Sequence, residues 1–571
     1  MQLSAFDPVC LKVQLLEIRQ YVTRFRRNPR RSLGSLSVIG SCNRNRVFGN
    51  RALSSRNSLL PCLLLSALSL LISSYPCAAD SRAALQNAVD LVRQGRLEDA
   101  DRQAHIALSD PQTRAAACSV LGTIRLQQQR IPESVKFLQE AIRLEPRLVG
   151  ARLSLAEAYT AQGKQDPAIA MYRRVLELDS SNALARFALA RYESEKGNYR
   201  QSLELANPIL PELKRSPEGL VLLATDYVKT GGRNAVAELS KDWIQLSGVP
   251  VDWSIKFAVV LANGGATLEA TDVLENASRS GPASYELAFN LAGLYLLNNN
   301  PTLALGQYDL ALKMKPDSLP ALHEAAMIAE KEGHLERSLS YWVRAKKIEP
   351  ENPEILLGFG RVCLKMDLLD DAEAALTKAA ALRPDDPTYL YALGSTNVGK
   401  KQFEAAQRIF EKLVEKNPQD SQVQYALGSV LYLEGHLSDA AAHFYESVRL
   451  QPNQLASYYY LALIARDQGK ESEAIQKLGT LLQHYPDHAP SREVLGELLM
   501  SAHQYPEAES NLEKAVRLDP KSVKANYQLG VLLSRMGRKE ESDKQLEIAK
   551  SLRTEDQASS RLQLRLLDPE Q

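Results

Sequence analysis

Residues 387–420 read PTYLYALGSTNVGKKQFEAAQRIFEKLVEKNPQD, and residues 421–454 read SQVQYALGSVLYLEGHLSDAAAHFYESVRLQPNQ. Laid over one another, they align Tyr391-Ala-Leu-Gly394 with Tyr425-Ala-Leu-Gly428, Ala406 with Ala440, and Pro418 with Pro452. The step is 34 residues, and it carries the proline through Pro282, Pro316, Pro350, Pro384, Pro418, Pro452, Pro486 and Pro520 without a slip. Stepping backward from Pro282 reaches Pro146 and then Gln112 in the same phase. A fixed internal period decides the reading of everything else, because one repeat cannot bury its apolar face alone.

With the proline as position 32, fourteen units begin at residues 81, 115, 149, 183, 217, 251, 285, 319, 353, 387, 421, 455, 489 and 523. Position 8 is small in all of them: Ala88, Gly122, Ala156, Ala190, Ala224, Ala258, Ala292, Ala326, Gly360, Gly394, Gly428, Ala462, Gly496 and Gly530. If Ala and Gly filled about one position in five, chance agreement would be on the order of 10⁻¹⁰, so the frame is real. Position 20 is Ala in nine units, including Ala372, Ala406, Ala440, Ala474 and Ala508, and Ser in four more. Position 27 is Ala in eight, among them Ala141, Ala311, Ala345, Ala379 and Ala515. Small residues at fixed places mark close approach of backbones, here two helices of one unit crossing near positions 8 and 20, and the next unit packing near 27. Position 15 is Gly nine times, including Gly95, Gly163, Gly333 and Gly435. Glycine ends a helix by accepting a left-handed conformation, and the proline region ends each unit because proline cannot continue a helix interior.

This frame resembles the tetratricopeptide repeat, a 34-residue helix–turn–helix unit. The resemblance implies an all-α fold, an α-solenoid superhelix of about fourteen tandem repeats over residues 80–556. It is closest over residues 285–552, where Tyr527-Gln-Leu-Gly530 is another near copy, and weakest in the units beginning at 183 and 217. Pro208 and Pro211 fall inside the expected second helix of the former, so a distortion is predicted near residues 205–217, a candidate hinge. Residues 557–571 form a tail that continues as a short capping helix or frays.

Upstream of the array the chain changes character. Residues 1–56 carry a net charge of +9, and the rest a net charge of −8. Leu59–Ile72 is an uncharged leucine-rich run, preceded by Arg46, Arg51 and Arg56 and followed by Ala78-Ala79-Asp80. A positive flank, a short apolar run and small residues describe a secretory signal cleaved after Ala79. Residues 57–79 are also uncharged for long enough to act as an N-terminal membrane anchor. Export to the periplasm or the extracellular space is therefore expected, with anchoring as the alternative. The basic leader 1–56 is of uncertain status, either a long leader or sequence upstream of the true start.

Further implications concern function. In the resembling family, helix A positions 2, 5, 6, 9, 12 and 13 line a concave groove that binds other proteins. Position 5 places Phe289, Tyr391, Tyr425, Tyr459 and Tyr527 there, and position 9 adds Arg191 and Arg361. These are the candidate groove-binding residues, for extended peptides or assembly components. Relatives that grip chaperone C-termini use lysine at position 5 and asparagine at positions 6 and 9; here position 5 has no lysine, position 6 only Asn290, and position 9 no asparagine. The carboxylate clamp is absent. The acidic body gives no electrostatic case for nucleic acid. Cys118 and Cys363 fit no metal or disulfide spacing, and Pro486 interrupts the helix that a His484/His488 metal pair would need. No phosphate loop or nucleophile elbow is present. No enzyme, cofactor or metal is expected.

Three functional readings follow. The first is a non-catalytic scaffold of the cell envelope or secretory route. The second is an accessory module of a polysaccharide export or glycosylation system, its enzyme on a separate chain because no catalytic domain is expected after residue 556. The third is an intracellular adaptor with a spurious leader. The frame itself is testable: Gly428→Leu or Ala440→Leu should overpack its hairpin by ~1–3 kcal/mol and lower the melting temperature. Melting like the unaltered chain would refute the frame.

Overall fold

The computed structural model describes residues 79–558, with side chains over 80–553. The chain divides into two units, Met1–Ser66 and Ala67–Gln571, and the described residues belong to the second. The basic leader, the signal or anchor run up to Ala78, and most of the tail lie outside the described residues.

Every regular element among the described residues is a helix. Helix A of a unit runs from position 1 to 13 and helix B from 17 to 30, as in Tyr285–Leu297 and Pro301–Met314. Each is about 20 Å long at 1.5 Å per residue and too short to persist alone in water. Helix B stops two residues before the repeated proline, at Leu382 before Pro384 and at Lys416 before Pro418. Position 34 then caps the next helix A. The side chains of Ser284, Ser318, Asn352, Asp386, Asp420 and Ser522, among others, accept from a backbone N–H of its first turn. Each such cap satisfies a donor that the helix start leaves open, worth about 1 kcal/mol.

Position 8 meets a different partner from the one expected. A Cβ on Gly122, Gly360, Gly394, Gly496 or Gly530 would lie 2.4–2.7 Å from Leu138, Leu376, Phe410, Leu512 or Leu546. All five are position 24, one turn beyond position 20. On Gly428 the nearest atom is Phe444, also position 24, at 3.1 Å. Position 20 approaches the same spot from the side. Where it is serine, Ser134, Ser338 and Ser542 donate their hydroxyls to the carbonyls of Gly122, Ala326 and Gly530 at 2.7, 2.8 and 2.8 Å. The small residue at 8 therefore makes room for a large one at 24, and the alanines Ala372, Ala406, Ala440, Ala474 and Ala508 at 20 let the backbones close on it, each fully buried.

The array departs from this pattern where expected to be weakest. The helix holding Pro208 and Pro211 breaks into Tyr199–Ala206, a 3₁₀ turn Asn207–Ile209, and Leu210–Leu213. Its last piece crosses so close to the next helix that a Cβ on Gly219 would lie 2.3 Å from the Leu213 carbonyl oxygen. At position 27 the following unit carries Trp243 in place of alanine, and its ring stacks on Phe257 with centroids 4.1 Å apart.

All fourteen position-15 residues are left-handed. The nine glycines have φ of 72–86°, and Gln129, Asn299, Asp367, Lys401 and His503 have φ of 57–62°. Packing of the two helices imposes this turn whatever residue occupies it, at a cost for a residue with a Cβ. Lys401 is exposed, so Lys401→Gly should raise stability by about 0.5–1 kcal/mol, the left-handed penalty less the entropy that glycine adds to the unfolded chain. The thermal midpoint of the two proteins measures it, and a lower midpoint for the variant would contradict the argument.

Candidate binding groove

Helices A of successive units lie side by side and touch through the positions assigned to the groove. Thr123 and Ser154 hydroxyls meet at 3.1 Å. The Arg361 guanidinium donates to Glu330 Oε1 at 2.9 Å, and Lys365 Nζ stands 3.3 Å from the same oxygen. The Tyr432 hydroxyl donates to Asp467 at 2.6 Å. Lys524 Nζ lies 3.3 Å from Glu493 and 2.9 Å from Glu497. Each contact joins position 2, 5, 6, 9, 12 or 13 of one helix A to the same set on its neighbour, so these positions form one continuous face.

The candidate residues on that face have diverse fates. Phe289 is half-buried, stacked at 5.6 Å on Tyr285 and edge-on to Tyr308 at 5.4 Å. Tyr391 is half-buried, edge-on to Phe410 at 5.5 Å. Tyr459 leans on Tyr460 and His488. Tyr425 is only 3% exposed, between Phe444 and Tyr460. This corrects its place as a groove-binding side chain: its ring is core, because Tyr460 of the next unit covers it. Tyr527 is 52% exposed. Arg191 is exposed, with Glu195 3.8 Å away, whereas the charge of Arg361 is committed to buried Glu330. The aromatic strip is thus a run of separate packing contacts that opens to solvent at Tyr527.

The open part of the face is elsewhere. At position 9, Val259 is 45% and Met327 39% exposed, and a Cβ built on Gly293 between them meets nothing within 4 Å. Further along, Ser395, Ser429 and Leu463 at the same position are 1%, 2% and 8% exposed. There Tyr460 packs edge-on against Tyr425 and Tyr432, with ring centroids 6.0 and 5.3 Å apart, and Ser395 and Ser429 satisfy their hydroxyls on the carbonyls of Tyr391 and Tyr425. Val259, Gly293 and Met327 were missed by reading position 5 for aromatics. Reading position 9 unit by unit for apolar residues was the available signal.

Chemistry-bearing groups elsewhere are buried. Cys118 and Cys363 are free thiols in the core, and burial pushes Cys363 up to about 12. Among the described residues, no group of three or more His, Cys, Asp or Glu is placed to hold a metal ion, and no helix is long and apolar enough to cross a membrane. His488 serves as a helix cap through Nδ1.

Asp226 is fully buried beside the broken helix, accepting from Ser194 at 2.5 Å, with no basic partner among the described residues. Burial raises its pKa above the ordinary carboxylate value, with the Ser194 and Ser202 hydroxyls opposing more weakly. A pKa higher in the folded than in the unfolded chain favours folding below the unfolded value of about 3.9, and that contribution is lost as pH rises through the raised value. Asp226→Asn should therefore be more stable than the unaltered chain near neutral pH, with the gap closing toward about pH 4. Urea midpoints at both pH values test this, and a gap independent of pH would contradict it.

Profiles of the tetratricopeptide repeat match residues 119–183, 257–318, 391–455 and 493–542, with further profiles of the same repeat over 329–395 and 456–488. The chain belongs to the tetratricopeptide repeat family, and its class is that of protein-interaction scaffolds. Over 307 residues it is 22% identical to the protein CTR9 homolog of Arabidopsis thaliana, covering 48% of this chain and 26% of that one. Over 104 residues it is 32% identical to cellulose synthase 2 operon protein C of Komagataeibacter xylinus, covering 18% and 8%. A solved tetratricopeptide repeat protein from Parabacteroides merdae, 18% identical, covers 44% of this chain and 98% of that chain with a TM-score of 0.38. The matches span about a quarter or less of the length of the curated relatives.

Proposed function

We propose that this chain is a non-catalytic scaffold of the cell envelope or secretory route, which holds partner polypeptides on the face formed by its helices A. One observation carries the reading: the face is open and apolar at position 9 through Val259, Gly293 and Met327. Exposed apolar surface rimmed by polar residues marks an interaction site. The export claim is supported by the leader alone, the basic flank and the uncharged run Leu59–Ile72. Anchoring through residues 57–79 is the variant of that claim in which the run is retained.

A second reading, an accessory module of polysaccharide export or glycosylation, is favoured by the 32% identity to cellulose synthase 2 operon protein C. Saturable binding of a soluble glycan by the purified chain would favour it over a protein ligand.

Gly293→Leu tests the first reading without threatening the fold. The new side chain enters open space and replaces a residue of poor helix propensity, so folding should be unchanged or improved. In-cell crosslinking with the tagged chain should capture a defined protein set, and the variant should lose it by about tenfold or more. Unchanged capture would move binding off this face. Sequencing the N-terminus of the recovered chain addresses export: a start near Asp80 supports it, and an intact leader in a cytosolic fraction contradicts it.

A further inference from the structure

Away from the groove, position 25 of one unit meets position 11 of the next. In two places the contact is a tyrosine hydroxyl. Gln139 Nε2 donates to the Tyr159 hydroxyl at 3.0 Å, and the Tyr295 hydroxyl donates to Glu275 Oε1 at 2.8 Å. Each phenol ring thus spans from helix A to the preceding helix B. The same two positions in units 149 and 183 hold Arg173 and Glu193. A glutamate is thinner than a tyrosine ring, and a cleft of about 370 Å³ opens here, with Arg173, Leu176, Leu189, Glu193, Gln201 and Leu205 in its lining. Small-ligand sites have volumes of ~300–1,000 Å³.

Glu193 is the group in this cleft whose bonding is incomplete. Its side chain is 7% exposed. Oε2 accepts from Asn198 Nδ2 at 2.8 Å. Oε1 has no hydrogen bond among the described residues; an Arg173 guanidinium nitrogen stands 3.7 Å away, beyond hydrogen-bond reach. Arg173 already balances the charge, so what stays open is an acceptor rather than an anion seeking a cation. An acceptor left unmet in a buried place costs free energy. Around it the walls are apolar: Leu189 is buried, and Leu176 and Leu205 are half-buried.

We propose that this cleft binds a tyrosine side chain of a partner polypeptide, its hydroxyl donating to Glu193 Oε1 and its ring lying among Leu176, Leu189 and Leu205. The site is separate from the groove and stands or falls independently of it. A phenol is selected over other groups on several grounds. The chain's own tyrosines, Tyr159 and Tyr295, bridge the equivalent positions. Leucine walls suit a flat apolar ring, and a buried tyrosine hydroxyl needs a polar partner. The acceptor is ionised, and hydrogen bonds to charged groups are roughly twice as strong as neutral ones. A lysine ammonium would meet Arg173 beside the same oxygen, and a phenylalanine ring would leave Oε1 unmet.

The test is saturation-transfer difference NMR on the full chain with short synthetic peptides that differ only in a central tyrosine, phenylalanine or lysine. The tyrosine peptide should saturate with a Kd on the order of 1 mM or tighter, and the other two should bind about tenfold more weakly. Glu193→Tyr puts into the cleft the side chain that position 11 already carries at Tyr159 and Tyr295. It should keep the melting temperature and abolish binding. Glu193→Gln keeps the shape with a neutral acceptor and should cut the advantage of tyrosine over phenylalanine to about threefold or less. Equal binding of the tyrosine and phenylalanine peptides, tighter binding of the lysine peptide, or no saturation overturns the proposal. So does tyrosine binding that survives Glu193→Tyr in a folded chain. Should Glu193→Tyr not fold, Glu193→Gln decides, and an unchanged tyrosine-to-phenylalanine ratio overturns the proposal.

Discussion

The packing of a large position-24 side chain against a missing one at position 8 is the constraint on which the rest depends. In five units the approach is so close that a single Cβ would have to displace a leucine or phenylalanine. Helices of 13–14 residues do not persist alone; they persist here because most hairpins clamp their own two helices this way, position 24 being small only at Ala104, Ala206 and Ser240, and because every hairpin presents buried faces to its neighbours. Stability is then close to a sum over units and interfaces. The left-handed turn at position 15 is a consequence of that clamp. Lys401 and Gln129 adopt it although nothing in their side chains favours it.

Much of this architecture was legible in the sequence, because small residues at a fixed period have one economical explanation. Ala406 and Ala440, Gly394 and Gly428, and Pro418 and Pro452 are enough to set the frame, whereas the capping role of Ser, Asn and Asp at position 34 emerged only from the structure. The packing partner at position 24 was less legible: Leu and Phe are ordinary core residues and announce nothing about which helix they meet. Left-handed turns at Asp367 or His503 carried no glycine to mark them.

Exposure on the binding face was the hardest to read. Tyr425 and Tyr527 occupy the same repeat position in near-identical sequences, yet one is 3% and the other 52% exposed. The difference is made by the following unit. Tyr460 packs against Tyr425, whereas among the described residues no further helix A follows the unit of Tyr527. A residue's place in the repeat fixes its direction, but the side chains of the next helix A decide whether solvent reaches it. The same reasoning separates the closed tyrosine section from the open one, where Gly293 removes a side chain and Val259 and Met327 keep an apolar surface on either side.

A scaffold needs a packed framework with one region free to bind, and the array supplies both by varying its groove positions while the hairpin packing recurs in most units. Hydrogen exchange on the full chain, alone and with the partner captured by crosslinking, tests this account most directly. It predicts added protection in helices A between residues 217 and 365, strongest at Val251–Asn263, Tyr285–Leu297 and Leu319–Lys331, with little change in the paired helices B. Protection confined to helices B, or to the terminal units, would contradict it.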